Sequence, residues 1–246
     1  ARDLSLNGSG IFPFLILQTI PGDVEIPSSE MTSGANVLLD VSGKASISNE
    51  SLLATGIFGG DERIEPGSSG NINITAASID IANGSFVAAV GAGQSDAGNV
   101  NLTATEAITI SGRSTSGNAS AVGSPTGVLP NIPTTGSGGD VTLRAPNISM
   151  SDGAGIAAIN NNTSGDAGNI SAIATDSFVM DSGASLRTST IGQGNAGAIN
   201  VSAENLVSIS GVNTNGNSTQ VASSVDFVQN STASRQGGEI TISTGD

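Results

Sequence analysis

Residues Gly70 to Gly91 read GNINITAASIDIANGSFVAAVG, and the order of apolar and polar positions in this stretch decides the fold. Three short runs alternate with a period of two: Ile72-Asn73-Ile74-Thr75-Ala76, Ile79-Asp80-Ile81 and Val87-Ala88-Ala89. That period sends successive side chains to opposite faces, as in a strand and not in a helix. Gly, Asn, Ser and Asp stand between the runs, and these are the residues of turns. Strands this short cannot bury an apolar face alone. The unit therefore needs copies of itself to pack against.

The copies are present. The pattern Gly-(Asn/Asp)-(Ile/Val)-x-(Ile/Leu)-x-Ala recurs, with its first apolar position at Val37, Ile72, Val100, Val141, Ile170, Ile199 and Ile240. The basic unit is 28 or 29 residues, with additions in some copies. Stacking each copy on the one before pairs every strand with its equivalent one turn away, in parallel. The predicted fold is all-β, a single-stranded parallel β-helix of about seven coils that forms one domain over residues 1–246.

Inward columns follow from this register. One is Val37, Ile72, Val100, Val141, Ile170, Ile199, Ile240, and the next is Leu39, Ile74, Leu102, Leu143, Ala172, Val201, Ile242. The second strand supplies Leu6, Ile47, Ile81, Ile110, Met150, Met180 and Ile209, and the third supplies Leu53, Val87, Ile156 and Leu186. Ala1, Ala76, Ala104, Ala145, Ala174 and Ala203 mark a bend with room inside for a methyl. Asn71, Asn99, Asp140 and Asn169 sit just before the first strand; they form either a ladder of stacked amides or a column of ordinary turn residues.

The long copies are regular. Leu6 to Val37, Ile110 to Val141 and Ile209 to Ile240 each span 31 residues, so the first, fourth and seventh coils are the long ones. Their extra segments, including Gly112–Thr126 and Gly211–Ser224, are expected at one corner in a line along the rod. Both carry Ser-Gly-x-x-x-x-Gly-Asn-x-x-x-Val. Loops on a rigid frame are where binding concentrates. Removing Gly112–Thr126 is expected to spare the fold and reduce binding. The apolar pieces Ile11-Phe12-Pro13-Phe14 and Val225-Asp226-Phe227-Val228 lie in or beside these corners. Both termini fall near the same bend, as in a segment cut from a longer repeat protein with open, stackable ends.

Composition narrows the chemistry. The 246 residues include no Cys and no His, which removes thiolate zinc sites, disulfides and the Ser-His-Asp triad. A net charge of −14, with no basic patch, argues against nucleic acid as a partner. Aromatics are 2% and charged residues 11%, while 37% hydrophobic content supplies a core. The longest apolar run, Ile11 to Leu17, is too short to span a bilayer and lacks the flanks of a signal peptide. Any export signal is expected outside this sequence.

Gly165-Asp166-Ala167-Gly168-Asn169-Ile170, Asp181-Ser182-Gly183-Ala184-Ser185-Leu186-Arg187-Thr188-Ser189-Thr190 and Gly194-Asn195-Ala196-Gly197-Ala198-Ile199-Asn200-Val201 carry a resemblance. They resemble the repeats of filamentous haemagglutinin-like exoproteins, of the two-partner secretion family and the cyanobacterial type, over essentially the whole chain. The resemblance implies a right-handed helix, secretion through an outer-membrane β-barrel transporter, and display or adhesion at the surface of a Gram-negative-type bacterium. The family's secretion domain is not recognisable here.

No catalytic, cofactor-binding or metal-ligating residue is assigned, and no cofactor is expected. Asp80, Glu106, Asp176 and Glu204 are sparse, with no recurrent basic partner, and read as solvated turn or strand residues. Asp61, Glu62 and Glu65 share one loop that could hold calcium weakly, although the Gly-Gly-x-Gly-x-Asp calcium repeat is absent. The expected function is a non-enzymatic structural or adhesive segment of a secreted surface exoprotein. Its partners would be a surface polysaccharide or neighbouring fibre subunits. The alternatives are a carbohydrate-active β-helix enzyme and a module that polymerises end to end.

Overall fold

The computed structural model describes residues 4–7, 10–11, 14–16, 34–58, 68–127, 135–161, 164–226 and 235–245. Its strands form two sheets. The ten-stranded sheet runs β1 (Leu4–Asn7), β5 (Lys44–Ser48), β7 (Ile72–Ala82), β9 (Val100–Ser111), β11 (Val141–Met150), β13 (Ile170–Met180), β15 (Ile199–Ala203), β18 (Ile240–Thr244). In addition β4 (Val37–Asp40) pairs with β7, and β16 (Leu206–Ile209) with β13. The eight-stranded sheet runs β17 (Gln220–Asp226), β14 (Ser185–Ile191), β12 (Gly155–Asn160), β10 (Ala121–Gly123), β8 (Phe86–Val90), β6 (Leu52–Phe58), β2 (Gly10–Ile11), with β3 (Phe14–Ile16) also on β6.

Every ladder in both sheets is parallel, and each strand pairs with its equivalent one coil along, as in β7 with β9 and β12 with β14. The chain is a parallel β-helix. The predicted register holds position by position. Val37, Ile72, Val100, Val141, Ile170, Ile199 and Ile240 are paired in sequence along one column. So are Leu6, Ile47, Ile81, Ile110, Met150, Met180 and Ile209. The inward residues of the central coils are fully buried in one continuous core. Each such aliphatic side chain stabilises the fold by roughly 1.5–3 kcal/mol.

Three details correct the sequence reading. First, the first and second runs of a unit are one bent strand in the central coils; β7 has 11 residues and β9 has 12. The bend falls where the ladder register slips after Ala76 and Ala145. The alanines there are at most 5% exposed, as a methyl-sized inside corner requires, and Val41 takes the same place one coil earlier. Ala1 lies outside the described residues.

Second, the long copies are not extended at one corner alone. Val122, inside the segment read as an insert, is paired with Val87 and Ile156 and has no exposure. Val221 pairs with Leu186 in the same way. Both belong to the third inward column, so Gly112–Thr126 contains a core strand, and its removal would breach the core. From Ile81 to Val87 is six residues, but from Ile110 to Val122, as from Ile209 to Val221, is twelve. Six added residues thus form a hairpin between the two sheets. The rest of each extension follows the third strand. In the first coil Leu6 and Ile11 are five residues apart, so the sequence between these two columns carries no added length. The added length of this coil also follows the third strand.

Third, the Asn column bonds to backbone. Asn36 Oδ1 accepts from Asn71 N, Asn71 from Asn99 N, Asn99 from Asp140 N, Asp140 from Asn169 N and Asn169 from Ala198 N, all at 2.7–2.8 Å. Each side chain satisfies an amide that ends the next coil's turn, which serves the same need as an N-cap. Within the column Asn169 Nδ2 also donates to Asp140 Oδ1 at 3.1 Å; side-chain amides bond to one another at Asn73–Asn101 and Asn49–Asn83, outside it.

The glycine that opens each motif stands in a close-packed column. A Cβ on Gly98, Gly139, Gly168, Gly197 or Gly238 would lie 1.9–2.2 Å from the carbonyl oxygen of the equivalent glycine one coil back. Buried hydroxyls stitch this seam from inside: Thr55, Ser124 and Thr188 donate to the carbonyls of Gly70, Gly98 and Gly197.

Candidate functional site

Between the two sheets, the ordinary coils turn through paired left-handed residues. Asn49-Glu50, Asn83-Gly84, Asp152-Gly153 and Ser182-Gly183 all have positive φ, from 49° to 78°. Asn and Asp tolerate this region, and Gly enters it without cost, so the short turn is written in the sequence. Glu50 occupies a place held by glycine in the other three.

In the fourth and seventh coils the turn is replaced by a hairpin. Arg113 bridges Ala119, and Val212 bridges Ser218, both antiparallel. The internal bonds are the same in the two hairpins. Ser114 N donates to Asn118 O and Asn213 N to Asn217 O; Gly117 N donates to Ser114 O and Gly216 N to Asn213 O. Asn213 Oδ1 also accepts from the amides of Asn215 and Asn217, at 2.9 Å each.

Each hairpin folds back over the preceding coil. Ser120 Oγ accepts from Gly84 N at 3.0 Å, and Thr219 Oγ1 from Gly183 N at 2.9 Å. A Cβ on Gly84 would strike Ser114, and one on Gly183 would strike Asn213. The first hairpin reaches further: Ser116 Oγ donates to the Glu50 carboxylate at 2.7 Å, two coils away. Hydrogen bonds from Ser116 and Ser114 hold the Glu50 carboxyl below the usual glutamate range.

The hairpins and the neighbouring two-residue turns form two shallow bays on one edge of the rod, one on either side of the first hairpin. The first, about 300 Å³, is lined by Asn49, Glu50, Asn83, Arg113, Ser114 and Thr115. The second, about 250 Å³, lies between the two hairpins and is lined by Gly112, Arg113, Asp152, Ser182, Val212, Asn213 and Thr214. Arg113 stands on the divide. Its Nη1 donates to Gly117 O at 2.9 Å, and its guanidinium lies over Gly153, where any Cβ would meet Nη2. Three coil steps at ~4.8 Å put the hairpins roughly 14 Å apart.

The carboxylates singled out in the sequence are dispersed. Asp80 pairs with Lys44 at 2.9 Å, and Asp176 accepts from Asn205 Nδ2 at 2.8 Å. Glu106 and Glu204 are exposed on other coils. Among the described residues no three of His, Cys, Asp and Glu come together as a metal site. Asp61, Glu62 and Glu65 lie outside the described residues, as do Phe12, Pro13, Phe227 and Val228. Val225 and Asp226 belong to β17, where Asp226 meets Arg187 at 3.4 Å.

The shared Ser-Gly-x-x-x-x-Gly-Asn pattern marked the hairpins, but not Asp152 and Ser182. Those two come from intervening coils of ordinary length, and only the stacking places them between the hairpins. No protein-family profile, curated protein or solved structure matches this chain.

Proposed function

We propose that this chain is a non-enzymatic, adhesive segment of a secreted exoprotein displayed on the surface of a Gram-negative-type bacterium. In this reading the rod is a spacer and frame, and the hairpin edge is its contact surface. The parent protein would leave the cell through an outer-membrane β-barrel transporter, as the haemagglutinin-like resemblance of the repeats implies. The observation that carries the reading is the pair of hairpins. Two copies of one hydrogen-bonded device, three coils apart, are docked onto neighbouring turns of a rigid helix. Other coils close the same corner with a two-residue turn, so the hairpins are not needed to complete the helix. Rigid frames that carry added loops present those loops for binding.

The test is adhesion of beads coated with the 246-residue chain to bacterial and host-cell surfaces. Coated beads are expected to adhere above uncoated ones. Replacing each hairpin with an Asn-Gly turn of the kind at Asn83-Gly84 is expected to reduce adhesion while circular dichroism stays unchanged. Adhesion no greater than that of uncoated beads would reject the reading.

A further inference from the structure

We propose that the bay between the two hairpins binds a neutral sugar residue of an exposed glycan; the inference rests on the adhesive reading above and names its ligand class. The bay combines hydrogen-bond donors and acceptors without net charge. Arg113 and Asp152 are its charged side chains, one of each sign, and among the described residues they form no ion pair with each other or with any other group. Arg113 spends one N–H on Gly117 O, leaving the rest of its five donors for a ligand. The carboxylate of Asp152 and the hydroxyls of Ser182 and Thr214 have no hydrogen-bond partner among the described residues.

Vicinal hydroxyls suit this set because each both donates and accepts. The Asp152 carboxylate can accept from two of them, while Arg113 donates to their oxygens. Val212, 61% exposed on the same wall, offers methyl groups to the C–H face of a ring. Charge selects against an acidic sugar: the lining sums to zero, Glu50 lies just across Arg113, and the whole chain carries −14.

The test titrates the 246-residue chain onto immobilised neutral polysaccharides (a glucan, a galactan, a mannan) and acidic ones (polygalacturonate, a sulfated galactan). Retention on at least one neutral polymer is expected, weakened at least tenfold by Asp152→Asn and by Arg113→Gln. Asparagine tolerates the left-handed backbone of Asp152, so that variant keeps the turn. Arg187→Gln, on the other sheet, is expected to change nothing. Circular dichroism and melting of each variant report folding. No retention on neutral polymers, preference for the acidic ones, or retention indifferent to the two bay variants would overturn the proposal. Bead adhesion that persists in any of these cases leaves the adhesive reading standing and removes only the sugar site.

Discussion

Gly168→Ala should be among the most damaging single-methyl additions in this molecule. The added carbon would sit 2.0 Å from Gly139 O and 2.4 Å from Gly139 C, with Asp140 N at 3.1 Å. Non-bonded carbon contacts settle near 3.5–4.0 Å, so the two backbones must part by about 1 Å or more at this point. Four hydrogen bonds cross there: Asn169 N to Asp140 Oδ1 at 2.8 Å, Asn169 Nδ2 to the same oxygen at 3.1 Å, Val141 N to Asn169 O at 2.9 Å and Gly138 N to Asp166 O at 2.8 Å. Lengthening two or three of them past ~3.5 Å costs about 1 kcal/mol each, and more where the acceptor is the Asp140 carboxylate. Overpacking adds about 1–3 kcal/mol, and the lower entropy of the unfolded alanine chain returns about 0.4–1 kcal/mol. The net expectation is a loss of about 2–5 kcal/mol, read as a lower urea midpoint and as faster amide exchange in the coils on either side. Gly155→Ala is the control. Its methyl would meet Ser185 Oγ at 3.4 Å and Ser185 O at 4.0 Å, ordinary contacts, and it should be neutral within about 0.5 kcal/mol or slightly stabilising. If Gly168→Ala stays within about 1 kcal/mol of the parent protein, close packing is not the reason for the glycine column.

Four further outcomes follow from the same geometry. Excising Arg113–Asn118 restores the six-residue spacing of the ordinary coils and should leave melting within a few degrees of the parent, whereas removing Gly112–Thr126 takes out Val122 and should yield an aggregating or unfolded chain by light scattering. Phe178→Ala, fully buried in the inward column of Ile79, Ile108 and Ile148, should cost about 3–5 kcal/mol in urea unfolding. Asn169→Ala removes the acceptor for Ala198 N and the donor to Asp140 Oδ1, both at exposed steps where water replaces them, so the loss should be only about 0.5–1.5 kcal/mol. Glu50 is held more acidic in the folded protein than in the unfolded chain. Its docking contribution is therefore present above the ordinary glutamate range and fades as pH falls through the lowered folded value. Amide exchange in the 112–120 hairpin should rise over that acid window, and Glu50→Gln should remove the dependence.

The sequence alone determined the winding. Alternation of period two, returning every 28 or 29 residues, leaves one way to bury every apolar column, and the pairings Ile72–Val100 and Ile81–Ile110 follow from counting. Side-chain parity makes register so legible: a slip of one residue would turn a whole column outward. The bend alanines and the opening glycines were legible for the same reason, since each recurs at a fixed place where neighbours leave no room. Tertiary structure decided what recurrence does not encode. Val122 hid inside an apparent insert because the twelve-residue hairpin spacing moves it away from where the ordinary units put their third strand. The direction of the Asn column, side chain to backbone, depended on the height of one turn above the next. The bay depended on both: Asp152 and Ser182 are far in sequence from Asn213, and only the coil spacing, set by backbone hydrogen bonds, seats them between two hairpins.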